Sequence, residues 1–104
     1  MRILLILLFL SSGTMAAEVK IHSAIDSIKI VSNGNVHVIL SEPTGANCYS
    51  SGRKLKINEG QMGVTAEGLD RMLSILLTAK ATNSPVRLWF DDSNRNCTVG
   101  SMEL

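Results

Sequence analysis

Aromatic side chains are scarce in this chain: two Phe, one Tyr and one Trp in 104 residues. Sites that stack successive bases or sugars on rings need several, so an extended stacking groove is excluded. Histidine is scarce too, with only His22 and His37. A metal centre wants at least three suitable ligands brought together, and neither histidine stands in a recognisable arrangement with a nucleophile and a carboxylate. Both read as solvent-facing residues. Serines are plentiful, yet no Gly-x-Ser-x-Gly elbow marks an activated hydroxyl. Asp91-Asp92 opens an oxygen-rich stretch that lacks the spaced acids and glycine of a calcium loop, and reads as a solvated turn. With no assembled acid, base or nucleophile, no enzyme, cofactor or metal site is expected.

An excess of one charge is also missing. Ten Lys/Arg face nine Asp/Glu, and one of the ten, Arg2, precedes an unbroken apolar run from Ile3 to Leu10. That run is followed by Ser11-Ser12-Gly13-Thr14-Met15-Ala16-Ala17. A basic start, a short apolar core and a small-residue tail read as a secretory signal peptide over residues 1–17. Eight apolar residues are too few to span a bilayer, which takes roughly 20, so no membrane insertion is expected once the signal is removed. The single domain, 18–104, would then be neutral. It lacks the net field that nucleic acid or anionic lipid binding usually draws on, and no nucleic-acid partner is expected. The chain reads as exported, periplasmic or secreted.

Two cysteines, Cys48 and Cys97, are present. In an oxidising compartment such a pair reads as a disulfide, and two cysteines allow one intramolecular pairing. Neither a Cys-x-x-Cys spacing nor a nearby histidine favours a redox dithiol or a metal pair. A domain this small has a thin core, so the crosslink bears directly on whether it folds.

Hydrophobic periodicity supplies the elements. Val19, Ile21, Ile25, Ile28, Ile30 and Val31 make a β-branched first strand that ends at Asn33-Gly34, a strong hairpin signal. The return strand is Val36 to Leu40. A two-residue turn would put Ile30 and His37 on one face. A three-residue loop, Asn33 to Asn35, instead aligns Ile28 and Ile30 with Val36, Val38 and Leu40, and burial of a whole apolar face sets register. Asn35 would take the left-handed conformation. Ser41 to Arg53 reads as a loop, and Lys54 to Ile57 as a short strand with lysines outward. Thr65 is an N-cap, and Leu69, Met72, Leu73, Leu76 and Leu77 recur at helical spacing as far as Lys80. Asn83-Ser84-Pro85 stops the helix. Val86, Leu88 and Phe90 alternate as a fourth strand, and Cys97 to Leu104 is a fifth, with Val99 and Leu104 as its apolar residues and Met102 between them.

The order βββαββ predicts a β-rich α+β fold: an OB-like five-stranded β-barrel with one amphipathic helix. An open antiparallel sheet with the helix packed across it is the alternative. The Asn-Gly hairpin, the first cysteine, the helix from Ala66 to Ala81, the strand Pro85-Val86-Arg87-Leu88-Trp89-Phe90 and the second cysteine together resemble a group of small exported proteobacterial proteins. More distantly, the helix followed by Val-Arg-Leu is similar to the OB-fold B subunits of AB5 toxins of the subtilase-cytotoxin and pertussis type. That resemblance implies a pentameric ring that binds cell-surface glycans. The chain lacks the aromatic-rich sugar-binding segment of those subunits, so no sugar-binding residue carries across.

Trp89 has the opposite parity to Leu88 and Phe90, so it points away from the core beside Arg87. An outward tryptophan with an arginine is the composition of an interface hot spot or a stacking platform. Tyr49, beside Cys48, supplies a second aromatic surface. Trp89, Arg87 and Tyr49 are therefore the expected contacts for a protein or carbohydrate ligand, in a non-enzymatic and homo-oligomeric binding domain. A monomeric periplasmic protein of inhibitor-like or structural character is the alternative. Arg53, Lys54 and Lys56 form a basic patch that reads as protection of an edge strand.

Overall fold

The computed structural model describes residues 18–104; the expected signal segment, 1–17, lies outside the described residues. Six strands and one long helix make a β-rich α+β fold. The strands are β1 (Glu18–Ser23), β2 (Ile25–Ile30), β3 (Val36–Leu40), β4 (Lys54–Ile57), β5 (Val86–Asp91) and β6 (Thr98–Glu103). The helix, α1, spans Ala66–Thr82. All six strands join one sheet in the order β1-β5-β6-β4-β3-β2. Every pairing is antiparallel except β4 with β6, which is parallel and places Lys56 opposite Thr98.

The expected first strand is two strands, which corrects the count from five to six. The chain breaks at Ala24, and its two halves take opposite edges of the sheet. The edges are not paired with each other, so the sheet is not closed. The cause is a change of phase: Val19, Ile21 and Ile25 fall on odd positions, Ile28 and Ile30 on even ones. Asp26 absorbs the change as a bulge, with Ile25 opposite Leu40 and Ser27 opposite Ile39. The corner is tied to the end of β3. Ser23 Oγ donates to the Ala24 carbonyl at 2.8 Å and accepts from the Glu42 N–H at 3.2 Å. The Ser41 N–H donates to the same carbonyl at 3.0 Å.

The β2–β3 hairpin keeps its apolar face together, Ile28 opposite Val38 and Ile30 opposite Val36. Its loop differs from expectation by one position: Val31 pairs with Asn35 (N–H to carbonyl, 2.9 Å), leaving Ser32 to Gly34 as the turn. Gly34, at φ +92°, takes the positive φ expected of Asn35. Without a Cβ it does so at no steric cost.

The core lies on the inner face of the sheet, where Val36, Val38, Leu55, Ile57, Leu88 and Phe90 are fully buried. Helix α1 lays Leu69, Leu76 and Ala79 against it. Thr65 caps the helix, its Oγ1 accepting from the Gly68 N–H at 3.0 Å. Asn83, left-handed at φ 57°, ends it. Leu77, expected in the buried stripe, is 52% exposed. The buried row runs 69, 76, 79, with Met72 and Leu73 partly buried beside it, and Leu77 lies one residue further round the helix.

In β6 the apolar residues are Val99 and Met102, not Leu104, which is 56% exposed and beyond the strand. An irregularity opposite Trp89/Phe90 puts Gly100 out of the alternation, so odd Val99 and even Met102 both pack on the core. A Cβ on Gly100 would lie 3.0 Å from the Met62 side chain, so the position also needs a small residue.

Cys48 and Cys97 form the disulfide, with Cα atoms 5.8 Å apart. It joins the Ser41–Arg53 loop to the start of β6. Within that loop Tyr49–Gly52 forms a helical turn with Ser50 and Ser51 at positive φ, an element the turn-rich composition did not resolve. Thr44 holds the loop closed, its Oγ1 donating to the Gly52 carbonyl at 2.8 Å and accepting from the Ala46 N–H at 3.1 Å.

Candidate functional site

The outer face of the sheet, opposite the core, carries two of the residues singled out for binding, Arg87 and Trp89. Its composition follows from alternation: where Val86, Leu88 and Phe90 go inward, Arg87, Trp89 and Asp91 go outward. Trp89 is half-buried while Leu88 and Phe90 are fully buried. Lys20 of β1 and Ser101 of β6 flank it across the ladders. Arg87 is flanked by His22 and Glu103, and its Nη1 lies 3.1 Å from the Glu103 carboxylate. Both side chains of that pair are about half exposed, so it contributes little to stability. It does fix the guanidinium beside Trp89. On the next row Glu18 faces Asp91. This half of the face, β1–β5–β6, is mixed in charge.

Tyr49 stands off the sheet, at the start of the helical turn in the Ser41–Arg53 loop. Its ring is exposed, with the Arg95 guanidinium 4.3 Å and the Lys56 ammonium 4.9 Å from its centroid. Lys56 Nζ also donates to Asn96 Oδ1 at 3.0 Å. Tyr49 thus belongs to a group built from the disulfide-bound turn, β4 and the β5–β6 loop. Arg87 and Trp89 are set on β5, with β6 between them and β4.

The lysines of β4 have company that the sequence did not reveal. His37 of β3 has Lys29 of β2 on one side and Lys56 on the other. Ile39, two residues along, has Ser27 and Lys54 as its neighbours. His37 Nδ1 is buried without a hydrogen-bond partner. Burial first, then the ammonium groups of Lys54, Lys56 and Lys29, hold the imidazole below the usual value of 6.5. Strand β4 is interior, between β6 and β3, so edge protection does not account for its lysines and that reading is corrected. Lys29, His37 and Arg95 were missed as members of the patch. The alternation of β2 and β3 placed the first two outward, but only the pairing register places them beside Lys56.

Among the described residues no group of three or more His, Cys, Asp or Glu is placed to hold a metal ion. No helix among them is long and apolar enough to cross a membrane. No known family model matches the chain, and no curated protein matches its sequence.

Proposed function

We propose that this protein is an exported, non-enzymatic binding domain of OB type. It assembles as a homo-oligomer and holds a protein or a surface carbohydrate through Trp89, Arg87 and Tyr49. The observation that carries the reading is Trp89: a large aromatic, half-buried on the outer face between Lys20 and Ser101, beside an arginine held in place by Glu103. Aromatic and arginine anchors of this kind dominate binding energy. The OB reading is supported by the edge strands β1 and β2, successive in the chain with only Ala24 between them. It is supported also by the one parallel pairing, β4 with β6. Export is supported by the disulfide, which persists in oxidising compartments. The toxin-subunit resemblance adds the expectation of a ring.

The test is the solution mass of the oxidised protein by light scattering after size exclusion, for the wild type and for Trp89→Ala. A closed oligomer that the folded variant loses, or a ligand that it releases, supports the reading. A monomer whose ligand binding is unchanged in Trp89→Ala overturns it.

A further inference from the structure

The outer face of β2–β3–β4 concentrates positive charge in a domain whose net charge is zero. Lys29, His37 and Lys56 stand in one row across three strands, and Lys54 stands in the next. Adjacent strands lie about 4.8 Å apart, which sets Lys29 and Lys56 roughly 10 Å from each other. Arg95 extends the row from the β5–β6 loop, held over the Tyr49 ring. None of these four cations forms an ion pair: the salt bridges among the described residues are Glu67–Arg71 and Arg87–Glu103. Asp91 stands in the same row as Lys56, two strands away through Thr98, and pairs with none of the four cations. Lys29 and Lys56 each face His37 and, with Lys54, oppose its protonation, and lysine is a poor strand residue. The arrangement is therefore unfavourable for the free fold, and the interior place of β4 removes edge protection as its reason.

We propose that this face binds an acidic polysaccharide, whose repeated anionic groups engage Lys29, Lys54, Lys56 and Arg95. The proposal rests on the binding-domain reading above and names the chemistry of its ligand. Charge complementarity selects a polyanion. A single-stranded nucleic acid would call for open rings on which bases stack, and the one aromatic here, Tyr49, already has two cations over its ring. A protein partner would call for a broad apolar anchor at the centre of the contact, where this face has the single half-buried Ile39 among its cations. Tyr49 acts as the spacer that holds Lys56 and Arg95 in place.

The experiment measures binding of the oxidised protein to heparin by calorimetry across a salt series. Uncharged dextran and a single-stranded thymidine oligonucleotide serve as comparison probes. Heparin is expected to bind, more weakly as salt rises, with dextran silent. The K29Q/K54Q/K56Q variant is expected to lose about tenfold or more in affinity, about 1.4 kcal/mol, while still melting cooperatively. The R71Q/K80Q variant, whose cations lie on helix α1, is expected to bind as the wild type does. Absence of heparin binding, equal loss in both variants, or tighter binding of the oligonucleotide overturns the proposal. If heparin fails while a neutral glycan or a protein still binds through Trp89, the acidic-ligand proposal falls and the binding-domain reading stands.

Discussion

The two halves of the sheet bury the same kind of core and present opposite outer faces. In β1–β5–β6 the facing positions mix signs, and the arginine is matched by a glutamate 3.1 Å away. In β2–β3–β4 three lysines surround a histidine and no carboxylate pairs with them. The described residues 18–104 hold equal numbers of basic and acidic side chains, yet these are spread unevenly over the two halves, and net charge does not report that. Electrostatic attraction acts over about 8–10 Å at ordinary ionic strength. A ligand therefore meets the half it touches and not the average of the domain.

The seam between the halves is the place to break the comparison hardest. They meet at the parallel β4–β6 pairing, whose register has a single partnered position, Lys56 with Thr98. The disulfide crosses close to that point, Cys48 six residues before β4 and Cys97 immediately before β6. Replacing both cysteines by serine, which opens a loop of sequence separation 49, should cost about 4 kcal/mol. Urea denaturation of the variant against the oxidised wild type measures this, and a loss below about 1 kcal/mol would mean that the seam holds without its crosslink.

The cores of the halves should prove equivalent where their faces are not. Leu40 and Leu88, one in each half, are both fully buried. Alanine at either should cost about 2–5 kcal/mol in one cooperative transition. A variant that melts in two steps would show that the halves do not share one core.

A smaller difference should appear with pH. The folded-state pKa of His37 is depressed, so below 6.5 the unfolded chain takes up a proton that the folded domain resists. Its contribution leaves stability untouched above 6.5 and lowers it progressively as pH falls from there towards the depressed value. His37→Gln should flatten the stability profile across that window, measured by urea denaturation at a series of pH values.

The smallest effects should differ in sign. Glu103→Gln removes an exposed ion pair and should destabilise by about 0.2–1 kcal/mol. Lys29→Gln replaces a poor strand residue and removes one of the three ammonium groups around His37, and should stabilise by a few tenths of a kcal/mol. Paired melting curves at low salt check both, and a destabilising Lys29→Gln would argue that the lysines are matched by something other than ligand.

Much of this was legible without coordinates because it is local. Thr65, the leucine spacing and Asn83-Ser84-Pro85 bracketed α1 to within two residues. The alternation of Val86, Leu88 and Phe90 turned Trp89 outward. The pairing of Ile28 and Ile30 with the inward face of β3 followed from burying apolar residues together. What was missed involves a change of phase. The bulge at Asp26 and the irregularity at Gly100 each insert one residue into an alternation, and a rule of strict period two carried through them assigns the wrong residues. One long strand stood where β1 and β2 are; Leu104 shares the parity of Met102 and is exposed because β6 ends at Glu103. The expected contacts Trp89, Arg87 and Tyr49 came from residue type and parity. The cluster around His37 did not, because no single segment contains it.

The count of two cysteines determined the disulfide partners, and short-range chemistry determined the helix with its caps and the outward residues of the regularly alternating strands. Those properties depend on a residue and its near neighbours in the chain. Tertiary structure alone decided which strands are neighbours: that β4 is interior, that β1 and β2 part at Ala24 to opposite edges, and that Lys29, His37 and Lys56 stand side by side. Strand pairing joins residues far apart in sequence, and its outcome is set by burial of the whole apolar face, which no local window of sequence contains.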